Sequence, residues 1–213
     1  TELRDVFGTV RGEYDLADNA LLYASFGARD GSEEGVYGGI EVTDAVTGEA
    51  RGSGLLVPRT DNNEAAQAGL RVRLRGGGVS HEVNVGGSYA WQVNRNAFDF
   101  LQGYATSLYD TPAVVRPASS FALGDLRDPF PISRTRLASL FASDTLGLFD
   151  NRLLLTAGLR LQRIRALGYS YFDGSETSRY DEEAVTPIFG LVLKPVAGLS
   201  LYANRMEGLA QGP

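Results

Sequence analysis

From Arg152 to Gln162 the chain alternates. Leu153, Leu155, Ala157, Leu159 and Leu161 hold every second position, with Arg152, Leu154, Thr156, Gly158, Arg160 and Gln162 between them. Successive side chains of a β-strand point to opposite faces, so this pattern predicts a strand with one apolar and one largely polar surface. Ala66, Ala68, Leu70, Val72 and Leu74 alternate in the same way with Gln67, Gly69, Arg71, Arg73 and Arg75. A strand far longer than the usual five or six residues starts at Val79, with His81, Val83, Val85, Gly87, Tyr89, Trp91 and Val93 on one face. Val185, Pro187, Phe189, Leu191 and Leu193 form another apolar face, and Val6 to Tyr14 another alternating run.

Between these runs the connections are of two kinds. Asp18-Asn19, Gly76-Gly77-Gly78, Leu146 to Asn151 and Lys194 to Gly198 read as tight turns. Asp30 to about Asn63, Asn96 to about Ser133 and Ala166 to Glu183 read as long loops. The first has weak strand character around Val36–Val42, and its stem can extend the flanking strands. With a last strand from Leu199 to Met206, the reading is all-β: about eight antiparallel up-and-down strands, with short turns at one end and long loops at the other. Long structureless loops are uncommon in compact soluble domains. The asymmetry matches transmembrane β-barrels of the outer membrane. Alternation alone does not say which face is inward. Arg71, Arg73, Glu82, Arg152 and Arg160 suit a wet lumen, whereas a small soluble barrel would fill its interior with apolar side chains.

Composition changes this picture little. The 213 residues are 43% hydrophobic and 22% charged, as in an ordinary globular chain. A net charge of −6 argues against a nucleic-acid partner, which calls for a basic face. Without Cys there is no disulfide scaffold or Cys-based zinc site. No run approaches the roughly 18 apolar residues of a spanning helix, but a barrel strand needs only about 9–11 alternating residues. Thr1-Glu2-Leu3-Arg4-Asp5 lacks the apolar core of a signal peptide, so the chain reads as mature or excised.

Candidate chemistry is sparse. His81 is the sole histidine, so a His-rich metal site is impossible, and any Ser–His dyad would have to use a residue in the apolar register of a strand. Asp61-Asn62-Asn63-Glu64 lacks calcium-loop spacing. Gly76-Gly77-Gly78 has no following helix with which to cradle phosphate. Asp181-Glu182-Glu183 reads as a solvated loop end. No cofactor or resident metal is expected, and no enzymatic activity. The candidates for ligand binding are the loop aromatics Tyr104, Tyr109, Tyr169, Tyr171 and Phe172, which could wall an extracellular pocket. Arg116, Arg127 and Arg179 could attract an anionic ligand. The competing reading makes such aromatics an interfacial girdle, the assignment preferred for Tyr89 and Trp91.

Three stretches then point to a family. Asp150 to Arg160 resembles the turn followed by L-x-x-G-x-R of TonB-dependent siderophore receptors. Val185-Thr186-Pro187-Ile188-Phe189-Gly190-Leu191-Val192-Leu193-Lys194-Pro195 is similar to their T-P-x-x-G-L-x-x-x-P strand. Leu199 to Leu209 resembles their S-L-Y-A-x-Y-x-E-G strand, with Arg205 where an aromatic is usual. The order and spacing also match. The resemblance implies a barrel of about 22 strands with a plugged lumen. Residues 1–213 would then be part of the barrel domain, lacking the plug domain, the TonB box and the aromatic-ended final strand, and stopping at Gln211-Gly212-Pro213. It further implies outer-membrane uptake of a ferric siderophore in a Gram-negative bacterium, with outer-membrane lipid around the wall and the TonB complex engaged through the missing N-terminal part. The alternative is a self-contained eight-stranded outer-membrane barrel with a structural or adhesion role.

Overall fold

A computed structural model describes residues 1–110 and 112–210; Gln211-Gly212-Pro213 lie outside the described residues. Ten strands form one sheet: β1 (Glu2–Ala17), β2 (Ala20–Asp44), β3 (Glu49–Gly76), β4 (Val79–Asn96), β5 (Phe98–Ser107), β6 (Ser119–Leu123), β7 (Pro131–Leu148), β8 (Leu153–Tyr169), β9 (Glu176–Val196) and β10 (Leu199–Met206). Eight of them follow the path β1-β2-β3-β4-β7-β8-β9-β10, every neighbour antiparallel, and β5 and β6 branch from β3. Among the described residues there is no helix. The all-β, up-and-down expectation holds: the sheet is a curled half-barrel wall.

One end is closed by short turns at Asp18–Asn19, Gly77–Gly78, Phe149–Arg152 and Ala197–Gly198. Gly77 and Gly78 have φ of 60° and 81°, the left-handed conformation that a two-residue hairpin requires at both central positions. Phe149, Asp150 and Asn151 are also left-handed. The two polar residues tolerate this more readily than the aromatic one.

The other end differs from the sequence reading. The expected loop from Asp30 to Asn63 is instead the continuation of β2 and β3, paired from Gly31↔Asp61 out to Val42↔Ala50 and closed only at Ala45–Gly48. The expected loop from Asn96 to Ser133 contains β5 and β6, with β5 lying on the distal part of β3. The third shrinks to Ser170–Ser175 because β8 and β9 extend toward each other. Backbone amides and carbonyls need partners wherever water is excluded, and a long hairpin supplies them. The alternation that marks a strand is weak there because glycines and charges interrupt both faces.

Exposure distinguishes the two faces. Leu140, Leu159, Leu161 and Val185 are 63%, 58%, 43% and 62% exposed, whereas Ser139 and Thr186 on the opposite face are 8% and 7% exposed. The apolar face is therefore open, and the sheet curls around the polar one. On the polar face Tyr23 Oη donates to Asn84 Oδ1 at 3.0 Å, reaching from β2 to β4 across β3. The buried apolar residues Ala50, Leu56, Val93, Ala97 and Leu101 lie where the β5 branch leaves the wall.

Candidate functional site

The polar face is built row by row. Tyr23, Gly69, Gly86, Phe141, Arg160 and Thr186 stand opposite one another on consecutive strands β2, β3, β4, β7, β8 and β9. The two glycines make room for the aromatics. A Cβ on Gly69 would collide with the Tyr23 hydroxyl, and one on Gly86 would lie 2.8 Å from Phe141 and 2.6 Å from the Ala68 carbonyl. Beside this row, the Ser88 and Ser139 hydroxyls are 2.8 Å apart, Arg160 Nη2 donates to Ser139 Oγ at 3.0 Å, and Gln162 Nε2 donates to Thr186 Oγ1 at 2.8 Å. A groove of about 490 Å³ opens on this face, with Ser88, Arg160, Gln162 and Leu209 among its walls.

Several charges on the same face are paired, while among the described residues Arg160 has no carboxylate partner and its Nε is buried without an acceptor. Glu82 meets Arg73 at 2.8 Å and Arg71 at 3.7 Å, and the Arg71 guanidinium also stacks on the Tyr23 ring. Arg29 pairs with Asp5 at 2.9 Å, and Arg59 pairs with Asp61 at 3.0 Å and Glu33 at 3.8 Å. Of the five residues expected to face a lumen, Arg71, Arg73, Glu82 and Arg160 share this face. Arg152 does not stand on the wall. It occupies the turn before β8 with an exposed side chain, because the chain is still reversing there.

Beyond the wall the same face continues without a register break along β2 and β3. It meets an aromatic row in which Tyr37, Leu55, Phe100 and Phe121 stand opposite one another on β2, β3, β5 and β6. Tyr37, Phe100 and Phe121 are 43%, 47% and 52% exposed. Phe98 packs edge-on against Phe100 at 5.4 Å and against Tyr171 at 5.2 Å, which ties the row to the β8–β9 loop. Sequence reading missed Tyr37, Phe98, Phe100 and Phe121. The Phe98-x-Phe100 spacing was the available signal, since it places two aromatics on one strand face.

The eight expected ligand residues do not converge. Tyr104 lies in β5 over Gly52, and Tyr109 lies over Gly48 with its hydroxyl donating to the Ala45 carbonyl at 2.6 Å, so both brace the distal hairpin. Tyr169 receives the Arg134 guanidinium on its ring at 5.4 Å. Tyr171 alone joins the aromatic row. Phe172 is 74% exposed, and Arg116 and Arg127 are exposed on loops. Arg179 is clamped by Glu176 at 2.8 Å.

The turns at this end are held by carboxylates. Backbone amides of Val46 and then Thr47 lower the pKa of Asp44, and those of Arg127 and Asp128 lower that of Asp125. The Ser175 hydroxyl, followed by its amide, lowers that of Asp173. Each amide or hydroxyl donates to the ionised form and so favours it.

His81 and Asp144 stand on the open apolar face instead, Nδ1 2.7 Å from Oδ2. No serine joins them there, and among the described residues no group of metal-ligating side chains is assembled.

Comparison with known proteins agrees with this architecture. The family model described as TonB dependent receptor-like, beta-barrel matches residues 3–208. The chain is 32% identical over 212 residues to the ferrichrome receptor FcuA of Yersinia enterocolitica, covering 100% of this chain but 28% of that receptor. Among solved structures it resembles BauA, the ferric preacinetobactin receptor of Acinetobacter baumannii. The TM-score is 0.70 at 24% identity, over 99% of this chain and 31% of that one. The unliganded ferric citrate transporter FecA gives a TM-score of 0.67 at 14% identity, over 95% of this chain and 27% of that one. These structural likenesses establish the fold.

Proposed function

Because this chain belongs to the TonB-dependent receptor β-barrel family, we propose that residues 1–213 are part of the barrel domain of a longer receptor that takes up a ferric siderophore across the outer membrane of a Gram-negative bacterium. The relatives named above are receptors and transporters. Ferric siderophore is the cargo, not a resident cofactor. Energy from the TonB complex would reach the cargo through the part of the receptor that lies outside this chain.

The orientation rests on the open apolar face. On β7 it runs from Leu148 to Ala138 and ends at Arg136. At about 3.4 Å per residue that is ~34 Å along the strand, and roughly 26 Å once the strand is tilted as in barrels. This matches the apolar band such barrels present to lipid. Tyr89 and Trp91 fall at the long-strand border of that band, where an aromatic girdle belongs.

The observation that carries the cargo reading is the continuity of one face. The hydrogen-bonding row that ends at Arg160 and Thr186 begins at Tyr23 on β2, and along the same side of β2 and β3 it leads to Tyr37 and Leu55, beside which the exposed Phe100 and Phe121 stand on β5 and β6. Small-molecule sites combine such apolar walls with a few placed polar groups. Replacing Tyr37, Phe100 and Phe121 together by serine in the full-length receptor is expected to weaken ferric siderophore binding by tenfold or more, at about 1.4 kcal/mol per decade. Heat-modifiable gel migration should be unchanged. Unaltered binding by the folded variant would remove the aromatic row from the site.

A further inference from the structure

We propose that the outward corner of β7, β8 and β9 binds the phosphate monoester of a lipid headgroup in the leaflet at the long-strand end; this rests on the lipid-facing orientation proposed above. The apolar face of these strands stops at one level. Ala138, Leu161 and Val185 are its last apolar positions, and the next outward residues are Arg136, Arg163 and Glu183. Arg134, Arg165 and Asp181 follow. Four guanidiniums on two neighbouring strands therefore face two carboxylates on the third.

The pairing leaves positive charge uncompensated. Asp181 accepts two bonds from Arg163, at 2.8 and 3.1 Å, and lies 3.9 Å from Arg165. Arg165 Nε is buried without an acceptor. Arg134 lays its guanidinium on the Tyr169 ring at 5.4 Å. Among the described residues neither Arg134 nor Arg136 reaches a carboxylate, and both are exposed. Arg136 and Arg165 stand directly opposite each other, a placement that repels unless an anion lies between them. The neighbouring strand does not supply one. On β4, Trp91 and Val93 stand beside Arg136 and Arg134, and Arg95 donates to Asn62 at 3.0 Å. The acidic residues of this level on the other side, Glu64 on β3 and Asp30 on β2, lie beyond that apolar pair. Further along β9, Arg179 is held by Glu176. In a chain of net charge −6 the positive excess is local.

The chemistry of the corner selects the anion. Guanidiniums offer planar, paired donors, and two that face each other call for an anion with acceptors on more than one side. A phosphate monoester presents three terminal oxygens and close to two charges, and a diester fewer of both. Trp91 beside Arg136 sets the site where acyl chains give way to headgroups. The phosphate therefore arrives on a lipid whose chains cover the leucines below.

The test titrates lipid A, a glycolipid carrying phosphate monoesters, onto the full-length receptor in detergent and reads bound lipid by native mass spectrometry. Arg136→Gln with Arg165→Gln is expected to weaken binding about tenfold or more. Lipid A stripped of its phosphates should bind the unaltered receptor as poorly, and inorganic phosphate at the same concentration should not displace the intact lipid. Without lipid A the double variant should be at least as heat-stable as the parent, because it relieves a like-charge contact. Arg75→Gln with Arg205→Gln makes the same charge change elsewhere and should leave lipid A bound. Undiminished binding by the Arg136 and Arg165 double variant, or equal binding of the dephosphorylated lipid, overturns the inference. So do displacement by inorganic phosphate, a loss of heat stability in the lipid-free double variant, and an equal loss of binding in the Arg75 and Arg205 variant. A spin label at Leu140 in lipid vesicles reads the orientation separately. A label reached by oxygen but not by a water-soluble nickel chelate keeps the wall in lipid whatever the lipid A result. A label reached by the chelate removes the orientation, and the inference falls with it.

Discussion

The His81 imidazole and the Asp144 carboxylate form a 2.7 Å pair between β4 and β7 on the open apolar face. Val83 and Ala157 stand directly beside Asp144 on the neighbouring strands, and its Oδ1 is buried without a donor. On the lipid-facing reading proposed above the pair lies out of water, where removing one member strands the other and replacing both by apolar groups does not. His81→Ala is therefore expected to lower wall stability by about 1–3 kcal/mol, and His81→Leu with Asp144→Leu to recover most of the loss. Urea unfolding of the receptor in lipid vesicles reads both. Equal losses from the single and double replacements would mean the pair contributes nothing as a pair.

Gly86 is a position where side-chain volume decides the curl of the wall. A Cβ there would meet the Ala68 carbonyl at 2.6 Å and Phe141 at 2.8 Å. The backbone atom cannot swing away as a flexible side chain could. Gly86→Val is expected to cost about 1–3 kcal/mol through overpacking. Pairing it with Phe141→Ala should recover only the part due to the ring. The yield of heat-modifiable folded barrel after refolding checks this. Full recovery by the double variant would assign the whole effect to the ring.

How much of this was readable beforehand follows from what writes a pattern into sequence. Leu153 to Leu161 announced a strand and its open face because one side meets an apolar medium and the other does not. The short turns were equally plain at Gly77 and Gly78. From Gly31 to Val42 the same strand continues, but glycines and glutamates fall on both faces, so period two fades and the stretch reads as loop. The aromatic row suffered likewise. Tyr37, Phe100 and Phe121 are far apart in sequence and meet only through the registers of β2, β3, β5 and β6. Tyr104 and Tyr109 were conspicuous in sequence, yet their rings cover Gly52 and Gly48 in the distal hairpin.

That bracing role is itself testable. Tyr109 sets its ring over Gly48, which has a φ of 78°, and donates its hydroxyl to the Ala45 carbonyl. Tyr109→Phe removes only the hydrogen bond and should cost the hairpin tip about 1 kcal/mol. Tyr109→Ala should loosen it further. Hydrogen exchange of the Ala45–Gly48 amides is the measurement, with exchange in β7 and β8 as the internal control. Acceleration in the wall as well as the tip would show that the extension and the wall unfold as one unit.

Acid should loosen the same tip by a separate route. Asp44 Oδ1 accepts the Val46 amide at 2.7 Å and the Thr47 amide at 3.2 Å, and these bonds depress its folded pKa. A carboxylate with a depressed folded pKa gives stability that is complete above its unfolded value and fades as pH falls through the folded one. Exchange at Ala45–Gly48 is therefore expected to hold steady through neutral pH, once corrected for intrinsic rates, and to rise as the solution passes below the ordinary carboxylate range. Asp125 and Asp173 cap their loops in the same way and should respond in the same window. Asp44→Asn keeps an uncharged acceptor that does not titrate, so its tip should show a flatter acid profile and a weaker turn at neutral pH. An unchanged acid response in Asp44→Asn would show that the Asp44 carboxylate is not the group whose protonation loosens the tip.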